Sequence, residues 1–193
     1  MKKIITIISL LFFITAIAQK QRVVLVFKDG TMTTGLGKIV GNKIKFKKGK
    51  GKKKYTYSHK EVNSLVTGEG NTNIEYFYKF IEGKKKVVLL ELVKKGKVKL
   101  YKSISTYVPS SFGPNGVFIE GRHKGSSSYY VSKSNNEKVF DLGDGTPFTK
   151  NFKKAASNYF KDCSILTNMI QDKKYKIKDI KEIVKFYNDG CKW

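Results

Sequence analysis

Arginine is nearly absent from this chain: Arg22 and Arg122 stand against 37 lysines in 193 residues. Acidic residues are also scarce, 15 Asp plus Glu against 39 Lys plus Arg, for a formal charge of +24. Few arginines argue against a site that reads bases, phosphates or carboxylates through planar, bidentate hydrogen bonds, because a lysine ammonium is a hydrated point charge. Two cysteines exclude a disulfide-dense miniprotein and a four-thiolate zinc site. The two histidines, His59 and His123, lie far apart and leave no His-rich metal chemistry. No H-E-x-x-H, G-x-S-x-G or P-loop pattern is present, and the carboxylates are scattered without a pairing suited to acid–base work. What the chain does have is apolar surface. At 40% hydrophobic and 13% aromatic it can form a core and is not a disordered basic tail.

The first eighteen residues have the anatomy of an export leader. Lys2 and Lys3 precede an uncharged run from Ile4 to Ala18, and Ala16-Ile17-Ala18 places small residues where a signal peptidase reads, so cleavage before Gln19 is expected. The run is shorter than the roughly 20 residues of a spanning helix. No cysteine ends it, so a lipoprotein signal is absent. Loss of Lys2 and Lys3 lowers the formal charge from +24 to +22. The expected location is the periplasm or cell envelope, or outside the cell. In an oxidising compartment Cys163 and Cys191 are most simply a disulfide, closing what reads as a helical hairpin.

Strands come first and helices last. Arg22–Lys28 is β-branched and aromatic, turns at Asp29-Gly30, and returns through Thr31–Val40, where Gly35 and Gly37 permit a bend. Lys43–Lys48 alternates, with Ile44 and Phe46 pointing inward and the lysines outward. Ser58 and Glu61 have capping-box spacing and predict a single turn before Val62. These short strands, 19–67, fit either an SH3-like small barrel or one half of a larger antiparallel sheet. Gly68-Glu69-Gly70-Asn71 is the best internal boundary. A second antiparallel meander follows over 68–145, in which Val87–Val93 is apolar on both faces and so predicts a central strand covered on each side. Helices occupy 146–193. One starts at Thr146-Pro147, a second carries Leu166 and Ile170 with Asp162 as its cap, and a third presents Ile180, Ile183, Val184 and Tyr187. The fold class expected is α+β, antiparallel β-meanders packed with a C-terminal helical layer closed by a disulfide.

Tyr159-Phe160-Lys161-Asp162-Cys163, Leu166, Ile170, Tyr175, Asp179-Ile180, Ile183-Val184, Tyr187-Asn188 and Cys191 form a Cys-bounded tail. Together with the Lys28-Asp29-Gly30-Thr31 turn, this tail resembles that of an uncharacterised family of exported proteins from Bacteroidetes-type bacteria. The resemblance implies an envelope location and the disulfide, and it supplies no catalytic residues.

Near-misses to chemical motifs read as turns. Gly35-Leu36-Gly37 with Gly41 lacks dinucleotide spacing. Asp141–Gly145 has Phe152 where a calcium loop needs Glu. Ser126–Ser128 beside Gly125 reads as a loop, with His123 nearby. The conspicuous constellation is Lys43–Lys54, where eight of twelve positions are lysine. Lys47, Lys48, Lys50, Lys52, Lys53 and Lys54 are the anion-contact candidates. Further basic turns at Lys84–Lys86 and Lys94–Lys97 spread charge around the molecule. The expectation is a non-enzymatic envelope protein, with no cofactor or metal, that docks on a partner protein or on an anionic lipid or polysaccharide. Specific nucleic-acid recognition is not expected, and attachment to a membrane is at most peripheral. The competing readings are a hydrolase with unrecognised site geometry, a basic nucleic-acid-binding protein, and a lysine excess that reflects coding bias alone.

Overall fold

The structure, a computed structural model, describes residues 21–69, 72–103, 106–108, 111–112, 118–119, 122–124, 127–133, 136–143 and 151–191. The expected leader, its cleavage site and the Thr146-Pro147 helix start lie outside the described residues. In chain order the strands are β1 (Gln21–Phe27), β2 (Met32–Val40), β3 (Lys43–Lys47), β4 (Tyr55–Tyr57), β5 (Val62–Glu69), β6 (Thr72–Ile81), β7 (Val87–Lys94) and β8 (Val98–Ser103). Short β9 (Thr106–Val108), β10 (Ser111–Phe112), β11 (Phe118–Ile119) and β12 (Arg122–Lys124) precede β13 (Tyr129–Lys133) and β14 (Lys138–Gly143). Three helices follow, α1 (Phe152–Tyr159), α2 (Ser164–Gln171) and α3 (Ile180–Gly190), the last entered through a 3-10 turn at Ile177–Asp179.

Ten strands form one sheet in the order β14-β13-β8-β7-β6-β5-β1-β2-β3-β4. The long strand β6 joins its two halves. One edge of β6 bonds β5 through Thr72–Phe77, and the same edge then takes β14 in parallel at Phe80 and Ile81. The β14–β6 pairing closes β6, β7, β8, β13 and β14 into a five-stranded barrel, with Phe80 N–H on Glu137 O (3.1 Å) and Glu82 N–H on Val139 O (2.9 Å). The first five strands, β5-β1-β2-β3-β4, continue the sheet beyond β6 through the β5–β6 pairing.

Period-2 alternation assigns a core to each face. Phe77, Leu90, Tyr101, Tyr130 and Val139 fill the barrel. Burial there pushes the Tyr101 phenol up to about 12. Lys79 donates to Asn136 O (3.0 Å) with its ammonium over the Phe77 and Tyr101 rings, and burial holds its pKa below that of an ordinary lysine. Tyr76, Tyr78 and Leu89, one residue out of phase, face the other way into the core of the first meander, with Val23, Leu25, Ile44, Phe46, Val62 and Leu65. Val87–Val93 is therefore apolar on both faces because both are covered, as its composition predicts. Asn42, in the β2–β3 turn, fastens the two halves. Its amide donates to Val87 O (2.8 Å) and accepts from Leu89 N–H (2.6 Å).

The helices cover the outer wall of the barrel opposite the first meander. Ile180, Ile183, Val184 and Tyr187 recur at i, i+3, i+4 and i+7, and all are buried against Val98, Leu100, Val131 and Leu142. Asn188 pins α3 to β8, its amide bonding both the N–H (2.8 Å) and the C=O (3.0 Å) of Val98. Gly96 approaches that amide so closely that a Cβ there would overlap it. Cys163 and Cys191 are bridged, with Cα atoms 5.8 Å apart.

Asp162 does not cap α2. Cys163 holds the cap position, and the Asp162 carboxylate instead accepts from Lys133 Nζ (2.6 Å) and the Tyr187 hydroxyl (2.8 Å). A charge-assisted bond and a phenol bond linking three elements outweigh a cap worth about 1 kcal/mol. Partial burial acts to raise this carboxyl, but the bonds from Lys133 and Tyr187 together outweigh it and hold its pKa below the ordinary 3.8. A carboxyl depressed in the folded state adds stability above its unfolded pKa and loses it as pH falls through the folded value. Asp162→Asn is thus expected to be less stable than the parent near neutral pH and to converge with it as pH falls below the ordinary 3.8 and through the lower folded-state value. Urea midpoints across that range check this, and a constant difference would refute it.

Candidate anion-binding surface

The lysine-rich stretch is the β3–β4 hairpin, with β2 beside it. Antiparallel register sorts its side chains. Ile39 opposes Ile44 and Gly37 opposes Phe46 on the core side, whereas Leu36/Lys47, Lys38/Lys45 and Val40/Lys43 share the outer side, with Thr56 opposite Lys45. Gly35 is what lets β2 lie this close to β3, since a Cβ there would sit 2.6 Å from the Phe46 ring. Like charges directly opposite across a strand pair destabilise it. Among the described residues no carboxylate lies within ion-pair distance of Lys38, Lys43, Lys45, Lys47, Lys48, Lys50, Lys52, Lys53 or Lys54. Ion pairs join Lys84 to Asp141, Lys95 to Glu75, Lys102 to Glu91, Lys133 to Asp162 and Lys185 to Asp189, all outside the hairpin.

Between residues 21 and 69 the only acids are Asp29, Glu61 and Glu69. Asp29 accepts from the Thr31 hydroxyl (2.7 Å) and N–H (2.9 Å), bonds that hold it below the usual carboxylate range. Glu61 accepts from the Ser58 N–H (2.9 Å) and hydroxyl (2.8 Å), with the same effect, closing the single turn before β5.

The six candidate lysines divide between the two sides of the hairpin. Lys47 and Lys54 line an outer cleft of about 230 Å³ with Leu36, Lys38, Lys45 and Phe46. Lys50 and Lys52 are exposed at the tip, where Lys52 N–H bonds Gly49 O (3.3 Å). Lys48 lines a hollow of about 420 Å³ on the inner side with Phe27, Met32, Tyr55 and Tyr57, and the Lys53 ammonium lies 5.8 Å from the Tyr55 ring centroid. Phe46 is 3% exposed, so it belongs to the core, as the alternation predicts. Tyr55 is the residue that sequence reading passed over. It opposes Phe46 in register, yet it sits on the outermost strand and is 43% exposed. Its signal was Tyr55-Thr56-Tyr57 itself, two rings at i and i+2 beside a lysine run.

Other sequence candidates take structural roles. Asp141, in the calcium-like stretch, accepts from Gly143 N–H (2.9 Å) and pairs with Lys84 (3.0 Å). His59 packs its ring 6.1 Å from Tyr78, and Ser128 N–H bonds the Ser103 hydroxyl (2.9 Å). Gly125 and Ser126, and the side chain of His123, lie outside the described residues. Among the described residues no cluster of His, Cys, Asp and Glu could hold a metal, and no helix is long and apolar enough to cross a membrane. Lys84 and Lys95 of the basic turns carry carboxylate partners, while among the described residues the hairpin lysines form no ion pair.

Fold and surface together define a disulfide-closed α+β protein that carries a lysine-faced hairpin at the open end of its sheet. No protein-family model, curated protein or solved structure matches the chain. The disulfide points to a non-cytoplasmic location.

Proposed function

We propose that this is an exported, non-enzymatic envelope protein that attaches to anionic surfaces through the β2–β3–β4 hairpin. The observation that carries the reading is the crowding of nine lysines, Lys38 to Lys54, on the β2–β3–β4 hairpin, none of them in an ion pair among the described residues. Such an array repels itself in the free protein, and an anionic polymer or lipid surface relieves that repulsion while releasing its own counterions. The near-absence of arginine suits attraction by charge over recognition by shape. The leader-like start, the disulfide and the resemblance of the tail to exported proteins all support a place in the envelope.

The test is co-sedimentation with anionic polysaccharide gel and with anionic vesicles across a salt series. Neutralising Lys50, Lys52, Lys53 and Lys54 to Gln is expected to leave stability within about 0.5 kcal/mol, since all four are exposed. The log–log salt slope should flatten by roughly 3–4, close to one unit per ammonium removed. Equal retention of parent and variant at every salt concentration would overturn the proposal.

A further inference from the structure

We propose that the inner hollow of the hairpin binds an acidic polysaccharide, one sugar ring lying against Tyr55 and its carboxylate or sulfate meeting Lys48 and Lys53. This deepens the anionic-surface reading and rests on it. The hollow, about 420 Å³, falls within the range of small-molecule sites. Its mouth holds two of the exposed large apolar side chains, Met32 at 71% and Tyr55 at 43%. Single exposed apolar residues need no explanation, but here the exposed ring is braced from the core outward. Tyr55 stacks on Tyr57 with centroids 6.0 Å apart and planes 12° from parallel. Tyr57 meets the edge of Phe27 at 5.2 Å and lies 6.1 Å from the buried Phe46. A platform held in this way loses little freedom when a ligand arrives.

A sugar ring is two-sided, with C–H bonds on one face and hydroxyls around its rim. The C–H hydrogens carry slight positive charge and suit the negative face of a tyrosine ring. Thr31 and Thr33 line the same hollow. Lys48 is the one charged side chain in its lining, and Lys53 stands beside the Tyr55 ring. A sugar with an acidic group therefore finds complementary charge in Lys48 and Lys53, while the Asp29 carboxylate at the Thr31 end of the hollow is already engaged by the Thr31 hydroxyl and N–H. A lipid headgroup accounts for the lysines but leaves the braced rings unused. A nucleic acid would use rings and lysines, but the disulfide points to a non-cytoplasmic location, away from the bulk of the cell's nucleic acid.

The experiment uses the full protein with its disulfide intact, titrated with oligogalacturonate, neutral dextran oligomers, phosphatidylglycerol vesicles and oligo-dT. Oligogalacturonate is expected to quench tyrosine emission of the parent protein saturably, while dextran does not. Tyr55→Ala should weaken oligogalacturonate binding roughly tenfold, Tyr55→Phe should retain it within about twofold, and vesicle binding should be unchanged in both. If Tyr55→Ala binds oligogalacturonate like the parent while the four-lysine variant does not, the sugar site is overturned and the anionic-surface reading stands. If neither variant changes any binding, both fall. If oligo-dT binds as tightly as oligogalacturonate with the same dependence on Tyr55, the hollow is a base-stacking platform and the sugar assignment is overturned.

Discussion

Reduction of the Cys163–Cys191 bridge is expected to lower stability by about 3–4 kcal/mol, the loop-closure entropy that the chain-entropy model assigns to a cross-link of this span. The residues are 28 apart in sequence, and the bridge ties the start of α2 to the end of α3. Both cysteines are buried in the helical core, which is distinct from the cores inside the barrel and under the first meander. The loss should therefore fall unevenly. Amide exchange in α2 and α3 is expected to accelerate well before exchange in β1, β5 and β6, because the latter strands keep all their packing. Urea unfolding with and without reductant, read by helical circular dichroism and by residue-level exchange, checks both parts. Coincident midpoints, or uniform acceleration across the molecule, would count against this account.

Phe160→Ala is expected to cost about 3–5 kcal/mol, the range for deleting a buried phenylalanine from a core that cannot collapse into the gap. Phe160 is fully buried where α1 ends, with its ring centroid 5.1 Å from that of Tyr159 and 5.0 Å from that of Tyr187. Its backbone bonds survive the substitution. The N–H still reaches Ala156 O (2.9 Å), and the carbonyl still accepts from Cys163 N–H (2.9 Å) and the Thr167 hydroxyl (3.0 Å). The cost is thus a cavity, not a broken turn. Ile165→Ala serves as the control, since Ile165 is 64% exposed on α2 and should shift stability by no more than about 0.5 kcal/mol. The two large effects should not add, because Phe160 and Cys163 share one core and a direct hydrogen bond. Thermal or urea midpoints of single and combined variants decide the matter. A Phe160→Ala midpoint equal to that of the control would refute it.

The parts of the fold legible in the sequence are those decided within a few residues. Alternation in Lys43–Lys47 and the i, i+3, i+4, i+7 spacing of Ile180–Tyr187 announce their own buried faces. So does the two-sided apolar run of β7. What no local pattern shows is the return of Lys138 and Val139 to Phe80 and Ile81, nearly sixty residues earlier, which closes the barrel. That choice depends on packing against strands not yet formed when the local chain is read. The amides of Asn42 and Asn188 were equally silent, because a side chain that imitates a strand partner looks in sequence like any turn or helix residue. Asp162 followed the same rule in reverse: its position fits a cap, and a tertiary partner took it instead. Of the candidate site, the lysines were visible as a run. Their lack of counter-charges and the braced Tyr55 became visible only with register and neighbours.

Barrel closure pairs one end of the ten-stranded sheet back onto β6, whereas β4 at the other end has no strand on its outer side among the described residues. Unpaired strand margins are templates for polymerisation, and proteins commonly guard them with lysine. Here the guard is the hairpin itself. Two copies approaching β4 to β4 would bring their Lys47–Lys54 segments together without intervening acids, and the repulsion would oppose that pairing. That protection is electrostatic, so it weakens within the Debye length as salt rises, to about 8 Å at physiological ionic strength and about 3 Å at 1 M. Colloidal behaviour is thereby tied to the same ammonium groups as the proposed attachment: whatever neutralises them also uncovers the outer strand β4.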